Sequence, residues 1–201
     1  MTRAERAPAR RRRRASPRAA AIRTRARAAA DEVQRRLIAE CVCRVIDAEG
    51  LEGTTLRRIA AELGCTTGLI AHYFPSKEAL LVEVLRLRDQ LDLGRMGALS
   101  LDQLRQLVGY NATRPGIVQS FTVLSGESVT ENHPARDYFV DRYDRLRRDL
   151  ASSVQAEKLP PELLATLVIA VMDGLQLQWL LQPDRVDMPE AFEAFVRLLT
   201  D

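Results

Sequence analysis

The groups best suited to chemistry in this sequence lie between residues 66 and 73, where two hydroxyls, a glycine, an aliphatic side chain and an imidazole follow one another closely. Thr66 and Thr67 carry hydroxyls that can bond to base edges or phosphates, and His72 can donate to a phosphate or to a guanine acceptor. Leu69 can contact a thymine methyl group, and Gly68 leaves room for a close approach of the backbone. A helix that enters the major groove of DNA presents groups of this kind.

Arrangements typical of catalysis or metal binding are missing from the sequence. Its two histidines are His72 and His133, and it contains neither a glycine-rich phosphate loop nor a cluster of metal ligands. The cysteines Cys41, Cys43 and Cys65 lack the spacing of a disulfide framework or a zinc site, so we expect buried free thiols. The sequence therefore predicts a protein that is not an enzyme and that holds no metal and no cofactor.

The charge of the chain is divided unevenly. Residues 1–30 contain eleven arginines and one glutamate, a net charge of +10, and since the whole chain carries +3, the other residues carry −7. This asymmetry indicates a polyanionic partner, with nucleic acid preferred to a membrane surface, although a merely solvated tail of alanine and arginine is the alternative. We expect the tail to be disordered when free and, if it binds DNA, to follow phosphates or enter a minor groove. No secretory signal is present, which predicts a cytoplasmic protein.

Apolar residues at helical spacing predict four helices in the first half of the chain. The first runs from Asp31 to Gly50, a glycine that can end a helix in the left-handed conformation. Thr55, Thr66 and Ser76 are expected to cap the three helices that follow. The residues expected to be buried are Val33, Leu37, Ile38, Cys41, Val42, Val45, Ile46, Leu56, Ile59, Ala60, Leu63, Ile70, Tyr73, Phe74, Leu80, Leu81, Val84, Leu85 and Leu91.

The second half also predicts helices and no strand, so the fold class is all-α. The predicted helices span 101 to 113, 117 to 131, 134 to 157, 161 to 182 and 189 to 199. Residues 163–181 are apolar almost all round, so we expect this helix to be buried on several faces, in a subunit interface and not in a membrane. The predicted organisation is a basic tail (1–30), a helix-turn-helix domain with a connecting helix (31–93), and a ligand-binding and dimerisation domain (100–201).

The second and third helices, joined by a tight turn that contains glycine, form a helix-turn-helix pattern. The sequences TLRRIA (residues 55–60), GCTTG (64–68) and LIAHYFPSKEAL (69–80) resemble the TetR family of bacterial regulators in residue type and spacing. A looser similarity covers DGLQLQWLL (173–181) in the second half. At one position this chain departs from the family pattern, because Ala71 stands where a tyrosine is usual; a customary phosphate contact is lost, and the operator is then bound more weakly or depends on the arginine tail.

The resemblance implies a DNA-binding surface and a dimer. It implies that Thr55 and Lys77 contact phosphates, and that the third helix faces double-stranded DNA. From their position early in the second helix, one of Arg57 and Arg58 is expected to reach a phosphate. By analogy with the family, the last two helices pair with those of a second subunit, and the resulting homodimer demands a near-palindromic operator. The full set of expected DNA contacts is Thr55, Arg57, Arg58, Thr66, Thr67, Gly68, Leu69, His72, Tyr73 and Lys77.

A ligand pocket would require polar or aromatic groups on helices that otherwise carry aliphatic faces. Eight residues of the second half meet that description, and we expect two or three of them to touch a small molecule. A buried Glu127 would indicate a cationic ligand and a buried Arg142 an acidic one, and the sequence does not choose between them. The candidates are Tyr110, Asn111, Phe121, Glu127, Tyr138, Arg142, Gln176 and Trp179.

The function that these features predict is a ligand-responsive transcriptional regulator, by resemblance a repressor that an unidentified small molecule releases from its operator. In this hypothesis the ligand shifts the fourth helix and changes the separation of the two recognition helices. The alternative is a helical adaptor protein whose basic tail binds nucleic acid without sequence preference. Salt and sequence dependence separate the two, because binding to phosphates alone weakens steeply with salt and ignores base identity.

Overall fold

The computed structural model describes residues 17–96, 99–154 and 159–200, and within these ranges the regular elements are all helices, which confirms the all-α fold class. The boundaries agree with the predicted helices to within a few residues, except at the start of the first helix. The helices are α1 (Pro17–Gly53), α2 (Leu56–Leu63), α3 (Thr67–Tyr73), α4 (Lys77–Met96), α5 (Leu101–Ala112), α6 (Pro115–Glu127), α7 (Arg136–Ser153), α8 (Pro161–Leu181) and α9 (Met188–Thr200).

Helix α1 begins well before the predicted residue 31. The expectation of a disordered tail is wrong for residues 17–30, which are helical, while residues 1–16 lie outside the described ranges. Alanine and arginine both have high helix propensity, so a sequence that cannot build a core can still form a helix. The predicted stop at Gly50 is confirmed, since this residue has φ 73° and interrupts the helix before its last turn.

Helices α2, α3 and α4 begin at the predicted caps. The Thr55 hydroxyl accepts a hydrogen bond from the Arg58 amide at 3.1 Å, and the Thr66 hydroxyl accepts one from the Leu69 amide at 3.3 Å. Ser76 accepts from the Ala79 amide at 3.1 Å. Gly64 ends α2 in the left-handed conformation, with φ 63°. These local bonds satisfy backbone groups at the helix ends and fix the turn between α2 and α3.

The compact unit that starts at Arg35 contains two hydrophobic clusters. The first joins α1–α4 to residues of α6 and α7, and the second joins α5, α7, α8 and α9; Tyr143 packs against both. Helix α6 lies close to α1, because a Cβ atom added to Gly116 would lie 2.5 Å from the Ile46 carbonyl oxygen. The helix-turn-helix and the second half therefore share a core, and the division into domains near residues 94–100 stays a prediction.

The three cysteines are free thiols, as predicted. Cys41 is buried, whereas Cys43 and Cys65 are only half-buried. Burial, followed by the nearby Asp47 carboxylate, raises the pKa of the Cys43 thiol to about 11. This thiol is therefore protonated, and weakly nucleophilic, at neutral pH.

Four residues expected in the core are exposed: Val33, Leu37, Leu56 and Leu91. The clearest correction concerns α4, where Leu91 is 43% exposed while Arg88 and Asp92 are buried. The sequence pattern selects apolar residues for the interior by type alone. It cannot show that an arginine and an aspartate one turn apart will neutralise each other inside the protein.

The expectation that residues 163–181 are buried on several faces in a subunit interface stays a prediction, because the structure contains one chain. One stripe of α8, which contains Leu164, Ala165, Val168 and Ile169, packs inward, and the opposite face leaves several leucines exposed. Within the described ranges, α8 is the one helix long and apolar enough to cross a membrane. The exposed members of the apolar face are Leu163, Leu167, Leu177 and Leu181.

Candidate DNA-binding surface and ligand cavity

The outer face of α3 is continuous and exposed. Ile70 and Phe74 point into the first hydrophobic cluster, and they hold the helix so that its other side faces solvent. The exposed positions alternate with the buried ones at helical spacing. They bring together Thr66, Thr67, Gly68, Leu69, Ala71 and His72.

Three further candidates lie beside this face. Tyr73 is half-buried against the core, and its ring meets the His72 ring edge-on, with 5.1 Å between centroids. Thr55 and Lys77 are exposed and line the same shallow groove at the starts of α2 and α4. Although the Thr55 hydroxyl accepts the cap bond, its own hydrogen remains able to reach a phosphate oxygen.

The structure separates the two neighbouring arginines of α2. Arg58 is held by two carboxylates, because its Nε donates to Glu49 at 2.6 Å and its Nη1 donates to Glu62 at 2.8 Å. These hydrogen bonds raise the pKa of Arg58, and the bond to Glu49 contributes most to this rise. Arg57 is exposed on the adjacent face. The pair therefore differs in that Arg58 is held against the fold and Arg57 is exposed to solvent.

A cavity of about 80 Å³ lies between α4–α8. Leucine, isoleucine and methionine side chains form its apolar walls, and Phe121 contributes the aromatic surface. Three of its polar residues belong to α4, the helix that starts immediately after the helix-turn-helix. The polar and charged lining residues are Arg88, Asp89, Asp92, Asn111, Arg142, Arg145, Asp149, Asp173 and Gln176.

Four buried or half-buried polar groups connect α4 to α5 and to the start of α6. Arg88 donates to Asp92 through Nε at 3.3 Å and to Asn111 Oδ1 through Nη2 at 2.8 Å. Arg114 Nη2 donates to the same two acceptors, at 3.2 Å and 3.1 Å. Its guanidinium carbon also lies 3.5 Å from the centre of the Tyr110 ring. One carboxylate and one amide oxygen thus serve two arginines.

A second set of contacts connects α4 to α7. Asp89 accepts hydrogen bonds from Tyr138 at 2.9 Å and from Arg142 Nε at 3.0 Å. Burial, and then the Asp89 charge, raises the pKa of the Tyr138 hydroxyl well above its ordinary value. Arg142 lies over the Phe121 ring, 4.6 Å from its centroid. The arginine is therefore both neutralised and stacked.

Helix α8 closes the cavity with Asp173 and Gln176. Asp173 accepts a hydrogen bond from the Tyr143 hydroxyl at 2.6 Å. Burial raises the pKa of Asp173, and the Tyr143 bond opposes this only in part. The Gln176 side chain is 5% exposed, and its Oε1 has no hydrogen-bond partner among the described residues. Buried carbonyl oxygens are nearly always hydrogen-bonded, so this atom is an exception that calls for an explanation.

Comparison with known proteins matches both halves of the chain to profiles of bacterial transcriptional regulators. The family profile for bacterial regulatory proteins, tetR family, matches residues 43–84, and the profile for BetI-type transcriptional repressor C-terminal domains matches residues 121–201. The HTH-type transcriptional regulator BetI of Vibrio parahaemolyticus is 27% identical over 176 residues, which cover 80% of this chain and 87% of that protein. The chain belongs to the TetR family of transcriptional regulators.

Solved structures of transcriptional regulators share the fold. A transcriptional regulator from Saccharomonospora viridis, crystallised in complex with choline, superimposes with a TM-score of 0.61 at 26% identity, over 83% of this chain and 96% of that one. A transcriptional regulator from Rhodococcus superimposes with a TM-score of 0.64 at 19% identity, over 82% and 95% of the two chains. The second similarity concerns the fold alone.

Within this TetR-family protein, half of the predicted ligand residues line the cavity. Asn111, Phe121, Arg142 and Gln176 do so. The other four lie elsewhere, because residue type shows that a side chain is unusual on its helix but not which way it points. Glu127 is exposed near the end of α6, and Tyr110 stacks with Arg114. Tyr138 donates a hydrogen bond to Asp89, and Trp179 lies in a separate groove beside Pro183.

Sequence reasoning missed the residues of α4 and α8 that supply most of the charge in the cavity. They are Arg88, Asp89, Asp92 and Asp173. A usable signal was present, since each of these charges interrupts the apolar face of its helix at the spacing of a buried position. A buried ionisable residue on such a face indicates either a paired structural charge or a binding group.

Proposed function

We propose that this protein is a ligand-responsive transcriptional repressor of the cytoplasm. It binds a near-palindromic operator as a homodimer, and a small molecule that enters the cavity releases it. The exposed outer face of α3 carries the proposal, because it presents hydrogen-bonding and apolar groups on a helix that the core holds rigidly. Such a face can enter the major groove and contact base edges.

The contacts assigned to DNA differ in kind. Thr66, Thr67, Leu69 and His72 face the groove and are assigned to the bases, with Gly68 allowing a close approach. The phosphate contacts are assigned to Thr55, Lys77 and Arg57, and Tyr73 supports the face from its half-buried position. Arg58 is assigned a structural role in place of a DNA contact, because two glutamates already hold its guanidinium group.

Dimerisation is supported by the apolar face of α8. Leu163, Leu167, Leu177 and Leu181 are exposed in the single chain, and a soluble protein rarely leaves an apolar row of this length open to water. A two-fold dimer formed through this face would contain two copies of α3. Two recognition helices about one DNA turn apart, roughly 34 Å, require two half-sites at that spacing.

Ligand release is supported by the position of α4. Its N-terminal end follows α3 after a short turn, and its Arg88, Asp89 and Asp92 line the cavity. A ligand that prefers a different position of these side chains would shift α4, and with it the separation of the recognition helices. The choline complex of the Saccharomonospora viridis regulator supports a small organic molecule as the ligand.

The basic segment of residues 1–30, which includes the start of α1, is assigned to DNA as well. Ala71 removes a phosphate contact that the family usually makes, and the eleven arginines of residues 1–30 can replace its charge. Deleting residues 1–30 is expected to lower operator affinity and to flatten its dependence on salt. Unchanged binding would leave the segment without a role in DNA recognition.

A matched pair of threonine variants tests the DNA-binding surface. Thr67→Ala removes a hydroxyl from the outer face of α3, whereas Thr130→Ala removes one from the exposed turn after α6. In fluorescence anisotropy titrations with operator DNA, Thr67→Ala should weaken binding about tenfold, as expected for a base contact worth about 1–3 kcal/mol. Thr130→Ala should bind like the wild type. Equal binding by both variants would contradict the assignment of α3.

A further inference from the structure

We propose that the cavity accepts a small organic cation with at least one N–H donor, such as a protonated alkylamine, and that Asp173 and Gln176 bind its ammonium group. This inference rests on the proposed function, because it takes the cavity as the site of the effector. It specifies the chemical class of that effector, which the preceding observations left open.

Gln176 is the first observation that points to such a ligand. Its side chain is 5% exposed and lines the cavity, yet Oε1 has no hydrogen-bond partner within the part of the chain that the structure describes. A buried carbonyl oxygen without a partner destabilises the protein, and a donor brought by a ligand removes that cost. A ligand that fills the cavity should therefore place an N–H group at this oxygen.

The pairing of the carboxylates in the cavity is the second observation. Asp89 is bonded to Arg142, and Asp92 is bonded to both Arg88 and Arg114. Asp173 has a different kind of partner, the neutral hydroxyl of Tyr143, and Arg142 acts on it only at longer range. Asp89 and Asp92 are thus each bonded to an arginine, whereas Asp173 is bonded to a neutral hydroxyl, and an ammonium group could pair with Asp173 one turn from Gln176 on α8.

The aromatic surface of the cavity argues against recognition by a cage of rings. Phe121 is the aromatic side chain in its lining, and the guanidinium groups of Arg142 and Arg88 already lie 4.6 Å and 6.0 Å from the ring centroid. A fully alkylated ammonium group depends on cation–π contacts with open ring faces. An ammonium group with N–H donors can instead use the carboxylate of Asp173 and the carbonyl oxygen of Gln176.

The remainder of the lining suits an alkyl chain. Leu104, Leu146, Ile169 and Met172 form apolar walls around the two acceptors. The described cavity of about 80 Å³ holds only a few water molecules, so the ligand is small or enlarges the cavity as it enters. Burial of the chain supplies affinity, and the two acceptors supply selectivity.

Two isomeric cations test the need for N–H donors. n-Heptylammonium and n-butyltrimethylammonium have the same atoms and charge, but only the first can donate hydrogen bonds. Binding of each to the full-length protein is measured by isothermal titration calorimetry, with heptanoate and choline as further probes. We expect n-heptylammonium to bind saturably, at least about tenfold more tightly than the other three, as a hydrogen bond to a charged group allows.

Variants assign the selectivity to the two residues. Gln176→Met keeps the shape of the side chain and removes the acceptor. It should therefore weaken the binding of n-heptylammonium about tenfold and leave the affinity for n-butyltrimethylammonium unchanged. Gln106→Met, at an exposed position of α5, is the matched control and should change neither. Asp173→Asn should weaken the binding of both cations. Thermal unfolding of each variant without ligand shows that the fold is kept, and Gln176→Met should be at least as stable as the wild type.

Several outcomes would overturn the inference: no saturable binding of n-heptylammonium, equal or tighter binding of n-butyltrimethylammonium, choline or heptanoate, or an unchanged affinity in Gln176→Met. Operator release measured with the same probes separates this inference from the proposed function. Selective binding of n-heptylammonium without any change in operator affinity would refute ligand release and keep the inference. Release of the operator by all probes alike would keep ligand release and refute the inference.

Discussion

Asp92 holds two arginines inside the protein, and Asp92→Asn removes its charge without changing its size. The Asp92 side chain is 7% exposed and accepts hydrogen bonds from Arg88 and Arg114 at 3.3 Å and 3.2 Å. Breaking a buried ion pair by neutralising one partner costs about 3–5 kcal/mol, because the other charge stays buried. Since Asn111 continues to accept hydrogen bonds from both arginines, we expect about 3 kcal/mol, the lower end of that range.

Urea denaturation followed by far-UV circular dichroism measures this loss, at one fixed protein concentration because a dimer is expected. Asp144→Asn is the matched control: Asp144 pairs with Arg147 at the surface, and its loss should cost less than about 1 kcal/mol. A loss for Asp92→Asn no greater than that for Asp144→Asn would refute the view that α4 is held by a buried charge cluster. A loss near 3 kcal/mol is a large part of the total stability of about 5–15 kcal/mol that is usual for a domain.

Three further predictions concern the DNA surface, the cavity and the dimer. Arg57→Ala should weaken DNA binding and reduce the slope of log affinity against log salt by about one, whereas Arg58→Ala should leave the slope unchanged, as measured by anisotropy at several salt concentrations. Burial raises the pKa of Asp173 above the ordinary value of 3.8, so the folded state disfavours ionisation of this carboxyl group. As the pH rises from 3.8 through the raised pKa, the folded protein therefore becomes less stable relative to the unfolded chain. The stability of Asp173→Asn relative to the wild type should therefore increase between pH 4 and 7 in urea titrations, and a constant difference would contradict burial of the charge. Leu177→Asp should shift sedimentation towards the monomer and weaken operator binding, while Val129→Asp, also at an exposed position, should do neither.

The helix-turn-helix could be predicted from the sequence because its determinants are local. Thr55, Thr66 and Ser76 cap the helices as expected, and Gly64 has the positive φ that its turn requires. Each of these features depends on residues within one turn of helix. The spacing of buried and exposed positions on α3 follows from the same short range.

The cavity could be predicted only in part, because distant segments build it. Asp89 and Arg142 are 53 positions apart, and Arg88 and Asn111 are 23 apart. In a single sequence each of these residues is an isolated polar group on an apolar face, and its partner is not apparent. The sequence pattern therefore selected Leu91 for the interior, although the interior contains Arg88 and Asp92. For the same reason it could not show that α8 keeps one face exposed in the single chain.

Specific recognition of DNA by α3 is the central claim, and one titration tests it most directly. The purified full-length protein is titrated against the DNA upstream of its own gene and against scrambled DNA of equal length, at two salt concentrations, with His72→Ala in parallel. We predict a strong preference for the upstream DNA that persists at the higher salt and is lost in His72→Ala. Equal binding to both DNAs that disappears as salt rises would contradict the claim and would indicate a helical adaptor with a basic tail.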